Sequence, residues 1–177
     1  GRHLFYDGRL SGRTHSDSLM SCATCHIQEH AFTTGINHQK YIGGHPFGLS
    51  GVPTPHLTMP LMNLVFNANG YLWNGSIHED NNFLYENNPL YHSKNIETLV
   101  WMGITAPHEM NGDIDKTVKL ISSISMYPPM FEAAFGTPEI TYERISKAIA
   151  QFIRTLISSD SKFDKYLRGE MQLSQSE

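Results

Sequence analysis

Both cysteines of this chain fall in one stretch, S-C-A-T-C-H (21–26), three residues apart and followed at once by His26. Two thiols on one helical turn beside an imidazole suit three chemistries: dithiol–disulfide exchange, part of a zinc site, or covalent attachment of haem. A thioredoxin-like dithiol opens a helix that follows a strand, and the preceding G-R-T-H-S-D-S-L-M is not a strand pattern. A structural zinc ion takes four N/S ligands, so it would need a second pair, and the chain has no third cysteine. Haem c accommodates every feature. Cys22 and Cys25 reach the two vinyl groups as thioethers, and His26 ligates the iron from the proximal side.

The other face of the iron decides between a carrier and an enzyme. A protein ligand there makes an electron carrier, and an open face admits a small molecule. Met59, Met62, Met102, Met110, Met126 and Met130 are candidates to close it, although filling core gaps is the commoner work of methionine. His38, His45 and His56 are candidates too, each more ordinarily a loop histidine.

These residues need a scaffold, and the patterning predicts a mostly α one. G-R-H-L-F-Y-D-G-R-L-S-G reads as a short amphipathic helix or turn with Leu4 and Phe5 inward. A helix is expected from about Ser21 to His30 around the cysteines. Between Thr33 and Asn95 the chain is rich in Gly, Pro, Asn and His with little helical period, a loop region that a large buried cofactor would order. Asp113 then caps a helix carrying Val118, Ile121 and Ile124. P-P-M-F-E-A-A-F is a second, stopped by Gly136. Ile145, Ala148, Ile149, Phe152, Ile153 and Leu156 form one apolar stripe on a longer helix capped by Thr141. S-K-F-D-K-Y-L-R-G-E is a last short helix, and M-Q-L-S-Q-S-E a polar tail.

At 177 residues the chain has room for one domain with its own core. A net charge of −4 without any Lys/Arg cluster argues against nucleic acid. No apolar run is long enough to span a bilayer. Haem c attachment takes place outside the cytoplasm, so the expectation is an exported, periplasmic protein whose signal peptide is not in this sequence.

Several segments together resemble the bacterial di-haem cytochrome c peroxidases and their MauG-like relatives. G-R-H-L-F-Y-D-G-R-L-S, S-C-A-T-C-H and A-F-T-T-G are similar to the family's opening. M-P-L-M-N-L-V-F-N-A-N-G-Y-L-W-N-G resembles its P-x-L-x-N…W-D-G-R segment, and I-T-A-P-H-E-M its P-x-E-M element. A-I-A-Q-F-I-R-T-L-I-S-S-D-S-K-F-D-K-Y-L resembles the helix and R-T-L-x-S-x-x-S-x-x-D-x-Y run that close its first domain. The resemblance implies a cytochrome c-like haem domain with long irregular loops over 1–170. Residues 171–177 would begin a linker to a second haem domain.

That domain would reduce hydrogen peroxide to water, with electrons from the second haem and from a small cytochrome or cupredoxin donor. One covalent haem c is implied, with Glu109 as the distal acid–base and Trp73 at the haem as an electron relay. His45, in the glycine-containing loop Y-I-G-G-H-P-F-G, is the distal ligand that some members release on activation. A homodimer is a further expected assembly. Where the family has W-D-G-R this chain has Trp73-Asn74-Gly75-Ser76, which argues against the calcium ion that some members hold between domains. Two other readings stay open: a mono-haem electron carrier, and a MauG-like oxidase of another substrate.

Overall fold

The apolar stripe that begins at Ile145 builds the helix on which the rest is assembled. The computed structural model describes residues 1–15, 19–34, 45–67, 70–72 and 96–176. We number its α-helices α1 (Arg2–Tyr6), α2 (Cys22–Cys25), α3 (Ile96–Thr105), α4 (Ile114–Ser122), α5 (Tyr127–Phe135), α6 (Tyr142–Arg154) and α7 (Lys162–Leu167). Short 3-10 turns lie at Gly8–Ser11, Gln28–His30 and Leu64–Phe66. Among the described residues there is no strand, only isolated bridges pairing Ile27 with Thr33 and Phe47 with Pro53. Among the described residues no helix is long and apolar enough to cross a membrane.

Helix α6 starts where Thr141 accepts a hydrogen bond from the Arg144 N–H. Ile145, Ile149 and Ile153 are buried on it, with Ala148, Phe152 and Leu156 partly covered at the edge of the stripe. Each buried aliphatic side chain contributes about 1.5–3 kcal/mol. Helix α1 lies against α6 through Leu4 and Phe5, and the Phe5 ring meets Phe152 edge-on at 5.1 Å.

Helix α3 packs on another part of α6. Its Trp101 Nε1–H donates to the Tyr142 carbonyl at 3.2 Å. Arg154 donates from Nη1 and Nη2 to the two Glu97 oxygens at 2.6 and 2.8 Å. This geometry fixes both the rotation and the slide of the pair.

Helix α4 is capped by Asp113, which accepts from the Lys116 N–H, and docks on the Gly8–Ser11 turn. There buried Thr117 donates to the Leu10 carbonyl. Pro128 and Pro129 sit in the first turn of α5, and Gly136 ends it in a left-handed conformation at φ 83°. Helix α7 opens with a capping box formed by Ser161 and Asp164. These starts and stops agree with the sequence patterning.

Two elements differ from it. The helix expected over 21–30 is a single turn, Cys22–Cys25. It stops because His26 leaves the helical region at ψ 82°, and the chain folds back so that Ile27 pairs with Thr33. Helix α3 is the other: the sequence reading assigns nothing to 96–105. Five of its ten residues are buried, Thr98 and Trp101 among them, so the apolar and polar faces are poorly separated and amphipathic periodicity is muted.

Candidate haem-binding site

Ser21 begins the site by capping α2. Its hydroxyl and the Thr24 side chain exchange hydrogen bonds with each other's backbone N–H groups, which holds the single turn in register. Cys22 and Cys25 therefore lie three residues apart on one face. They are not joined in a disulfide. Burial pushes the Cys22 thiol up to about 12 and that of Cys25 up to about 11, and the charge of nearby Glu109 adds to both shifts. A redox dithiol needs a lowered thiol pKa, so this environment does not suit disulfide exchange.

His26 is positioned by the fold-back that follows it. Its Nδ1 shares a 2.7 Å hydrogen bond with the Phe32 carbonyl. Ala31 and Phe32 both adopt positive φ, 56° and 60°, an unfavourable state for non-glycine residues. The turn is held by the Phe32 N–H on the Ile27 carbonyl and by the Phe32 ring, which packs edge-on against Phe5 at 5.8 Å. Burial holds the His26 ring below its usual pKa, against backbone hydrogen bonds at Phe32 and Met59. With Nδ1 held by the Phe32 carbonyl, Nε2 is the nitrogen that would ligate a metal.

Glu109 approaches the two thiols from the turn after α3. That turn folds back on its helix: Glu109 and Asn111 N–H groups donate to the Ala106 carbonyl, Met110 to Gly103, and Gly112 to Ile104. From the N-terminal segment, Arg13 donates to the Met110 and Asn111 carbonyls at 2.8 and 3.0 Å. Leu49 N–H donates to the Glu109 carbonyl at 2.8 Å. The Glu109 side chain keeps 41% of its surface accessible, yet burial pushes its carboxyl up to about 7. The carboxyl lies near enough to both thiols for its charge to raise their pKa values.

This donor set fits haem c. Among the described residues no three His, Cys, Asp or Glu side chains gather around a bare ion. His26 is a lone imidazole, as suits an iron whose in-plane ligands come from a porphyrin.

Of the other sequence candidates, His45 sits at the base of the turn 45–54, its Nδ1 hydrogen-bonded to the Thr54 carbonyl at 2.8 Å. The same turn touches Glu109 through Leu49. Met110 is buried, Met59 and Met62 are partly covered, and Met126 and Met130 are exposed. Trp73, with Asn74, Gly75 and Ser76, and His38 lie outside the described residues. The Phe32 carbonyl, which orients His26, is a backbone group that residue patterning could not single out.

The family model described as "Di-haem cytochrome c peroxidase" matches residues 1–172. The chain is 33% identical over 171 residues to the methylamine utilization protein MauG of Methylorubrum extorquens, an overlap of 96% of this chain and 40% of that protein. It is 30% identical over 170 residues to the cytochrome c551 peroxidase of Nitrosomonas europaea, covering 96% and 42% of the two. A crystal structure of a MauG-like protein associated with microbial copper homeostasis superposes with a TM-score of 0.73 at 28% identity, covering 99% of this chain and 44% of that one. The chain thus spans well under half the length of these relatives.

Proposed function

This chain belongs to the di-haem cytochrome c peroxidase family, and from that premise we propose that residues 1–170 form its peroxidatic haem domain. Residues 171–177 lead toward a second haem domain in the remaining length that the relatives have. The observation that carries this reading is the placement of Glu109. Its carboxyl is within electrostatic reach of both attachment thiols and has a pKa pushed up to about 7.

Cys22 and Cys25 hold the haem through thioethers, and His26 ligates the iron through Nε2. The Phe32 carbonyl, accepting from Nδ1–H, fixes the tautomer and makes the imidazole a stronger donor. When bound, haem c supplies the iron at which peroxide is reduced and the path by which electrons arrive. Glu109 accepts a proton from one peroxide oxygen and delivers it to the other, so that water departs as the O–O bond breaks. A pKa near the working pH suits a group that must both take and give a proton.

Reduction of hydrogen peroxide to two waters consumes two electrons and two protons. This sequence contains a single C-x-x-C-H, so the second haem domain shares the electron supply, replenished by a small cytochrome or cupredoxin. Trp73 serves as the relay between haems, and His45 as a distal ligand at rest. The protein works in the periplasm, with a homodimer as its assembly. A MauG-like oxidase of another substrate is the second reading, favoured by the 33% identity to MauG.

Glu109→Gln in the full-length, haem-loaded protein is expected to preserve the haem spectrum. It should lower peroxide turnover by about a hundredfold or more, the size of an acid–base contribution. Unchanged turnover removes Glu109 from the chemistry. A ferric haem that neither binds cyanide nor reacts with peroxide, even after its partner haem is reduced, would instead identify an electron carrier.

A further inference from the structure

The turn that bears Glu109 is clamped on several sides, and one glycine beside it has no backbone reason to be glycine. Gly103 lies inside α3 with no left-handed φ, where alanine would favour the helix. Among the described residues, and apart from its chain neighbours and its own helix backbone, a Cβ at this position would meet one atom within 4 Å, the Glu109 Oε2 at 3.2 Å. The carboxylate oxygen takes up the space that a side chain would fill.

We propose that Gly103 is a positioning residue for the Glu109 carboxylate, keeping open the seat in which that oxygen rests. The inference builds on the acid–base reading of Glu109 and adds what determines where its carboxylate stands.

The surrounding contacts explain why a methyl group at 103 would be felt by the carboxylate and not relieved elsewhere. Gly48 lies against the other side of the turn so closely that a Cβ there would strike the His108 and Glu109 carbonyl oxygens at 2.3 and 2.4 Å. Leu49 N–H holds the Glu109 carbonyl, Arg13 holds the next two carbonyls, and the Gly103 carbonyl itself accepts from the Met110 N–H at 3.3 Å. With the backbone fixed from both sides, the part left to move is the flexible end of the Glu109 side chain. A shift of a few tenths of an ångström in a proton-transfer group is costly to rate, because rate follows alignment steeply.

The test is Gly103→Ala in the full-length, haem-loaded protein, alone and combined with Glu109→Gln. The single variant is expected to melt at or above the parent temperature and to lose about tenfold in peroxide turnover, chiefly in kcat. In the Glu109→Gln background the same change should add less than about twofold, since contacting residues that act through one another are non-additive. Independently of activity, the infrared band of the protonated Glu109 carboxyl, identified by its loss in Glu109→Gln, should titrate at higher pH in Gly103→Ala. The added methyl removes water from the carboxylate and so disfavours its charged form.

Equal losses in both backgrounds, an unshifted infrared titration, or a melting temperature well below the parent would each assign Gly103 to packing and overturn the inference. If Glu109→Gln alone leaves turnover intact, the acid–base reading fails. The infrared shift then still decides whether Gly103 seats the carboxylate.

Discussion

From Ile96 onward the chain runs through five helices, α3 to α7, joined by short capped turns. The described residues before it contain helices of only five and four residues and three 3-10 turns. The C-terminal part is ordered by burial, with Ile104, Ile121, Ile145 and Ile149 fully covered. The N-terminal part is tied down by side chains bonding to distant backbone: Arg13 to Met110 and Asn111, Thr33 to Thr58, His45 to Thr54. Yet the second kind of structure carries both thiols and the imidazole proposed to bind iron. The difference teaches a division of labour: a helical body ordered by burial supports a polar-pinned segment that bears the proposed haem-binding residues. Phe32 joins the two, its ring in the aromatic core and its carbonyl on His26.

The largest expected effect comes from breaking that division at the cofactor. Cys22→Ala/Cys25→Ala removes both thioethers, and covalent haem should vanish completely on a haem-stained denaturing gel. Amide hydrogen exchange should then separate the two regions. Protection around His26 and Phe32 falls toward that of local opening, while Ile145 to Ile153 keep theirs. Equal loss across both regions would mean that the helical body also depends on the haem, and the comparison drawn above would collapse.

The same division explains what could be read in the sequence. Thr141, Asp113 and Gly136 announce helix ends because caps are local devices, and the stripe from Ile145 to Leu156 follows from the helical period alone. Helix α3 carried a fainter signal in Ile96, Val100 and Ile104 at intervals of four, blurred by burial of Thr98 and Trp101 on neighbouring faces. Cys22, Cys25 and His26 stand out in the sequence because the proposed attachment chemistry dictates their spacing. The fold-back after His26 was not, because it depends on a long-range aromatic contact and two positive-φ residues, Ala31 and Phe32. Gly103 and Gly48 were visible only as glycines. Their meaning rests on atoms that the fold brings beside them.

A smaller effect sharpens the burial side of the comparison. Ile149 is wholly buried on α6, and Ile149→Ala should cost about 3 kcal/mol, within the usual range for emptying a core site. Ile157, the residue just beyond the end of the stripe at Leu156, is 46% exposed, and Ile157→Ala should change stability by less than about 0.5 kcal/mol. Urea unfolding of both variants measures the contrast. Similar losses would mean that the stripe does not mark the core.

The smallest effect tests the polar pinning by its dependence on pH. Tyr127 Oη donates to Asp7 Oδ2 at 2.6 Å, while Arg9 donates from Nε to Oδ1 at 2.8 Å and from Nη2 to Oδ2 at 2.7 Å. The cluster ties the residue after α1 to the start of α5. Burial alone would raise the Asp7 pKa, but hydrogen bonds from Arg9 and Tyr127 outweigh it, and the carboxyl is held below its ordinary 3.8. A carboxylate whose folded pKa is depressed stabilises the fold fully above the unfolded value. That contribution is lost as pH falls through 3.8 toward the folded value. Tyr127→Phe removes one charge-assisted hydrogen bond and should cost about 1–2 kcal/mol at about pH 7. Asp7→Asn should destabilise at neutral pH too, and the gap between parent and variant should shrink as the solution is acidified below about pH 4, where the parent's own Asp7 takes up its proton. A gap that stays constant from neutral to acid pH would show that shape, not charge, holds this corner. The N-terminal segment would then be packed in the same way as the helical body.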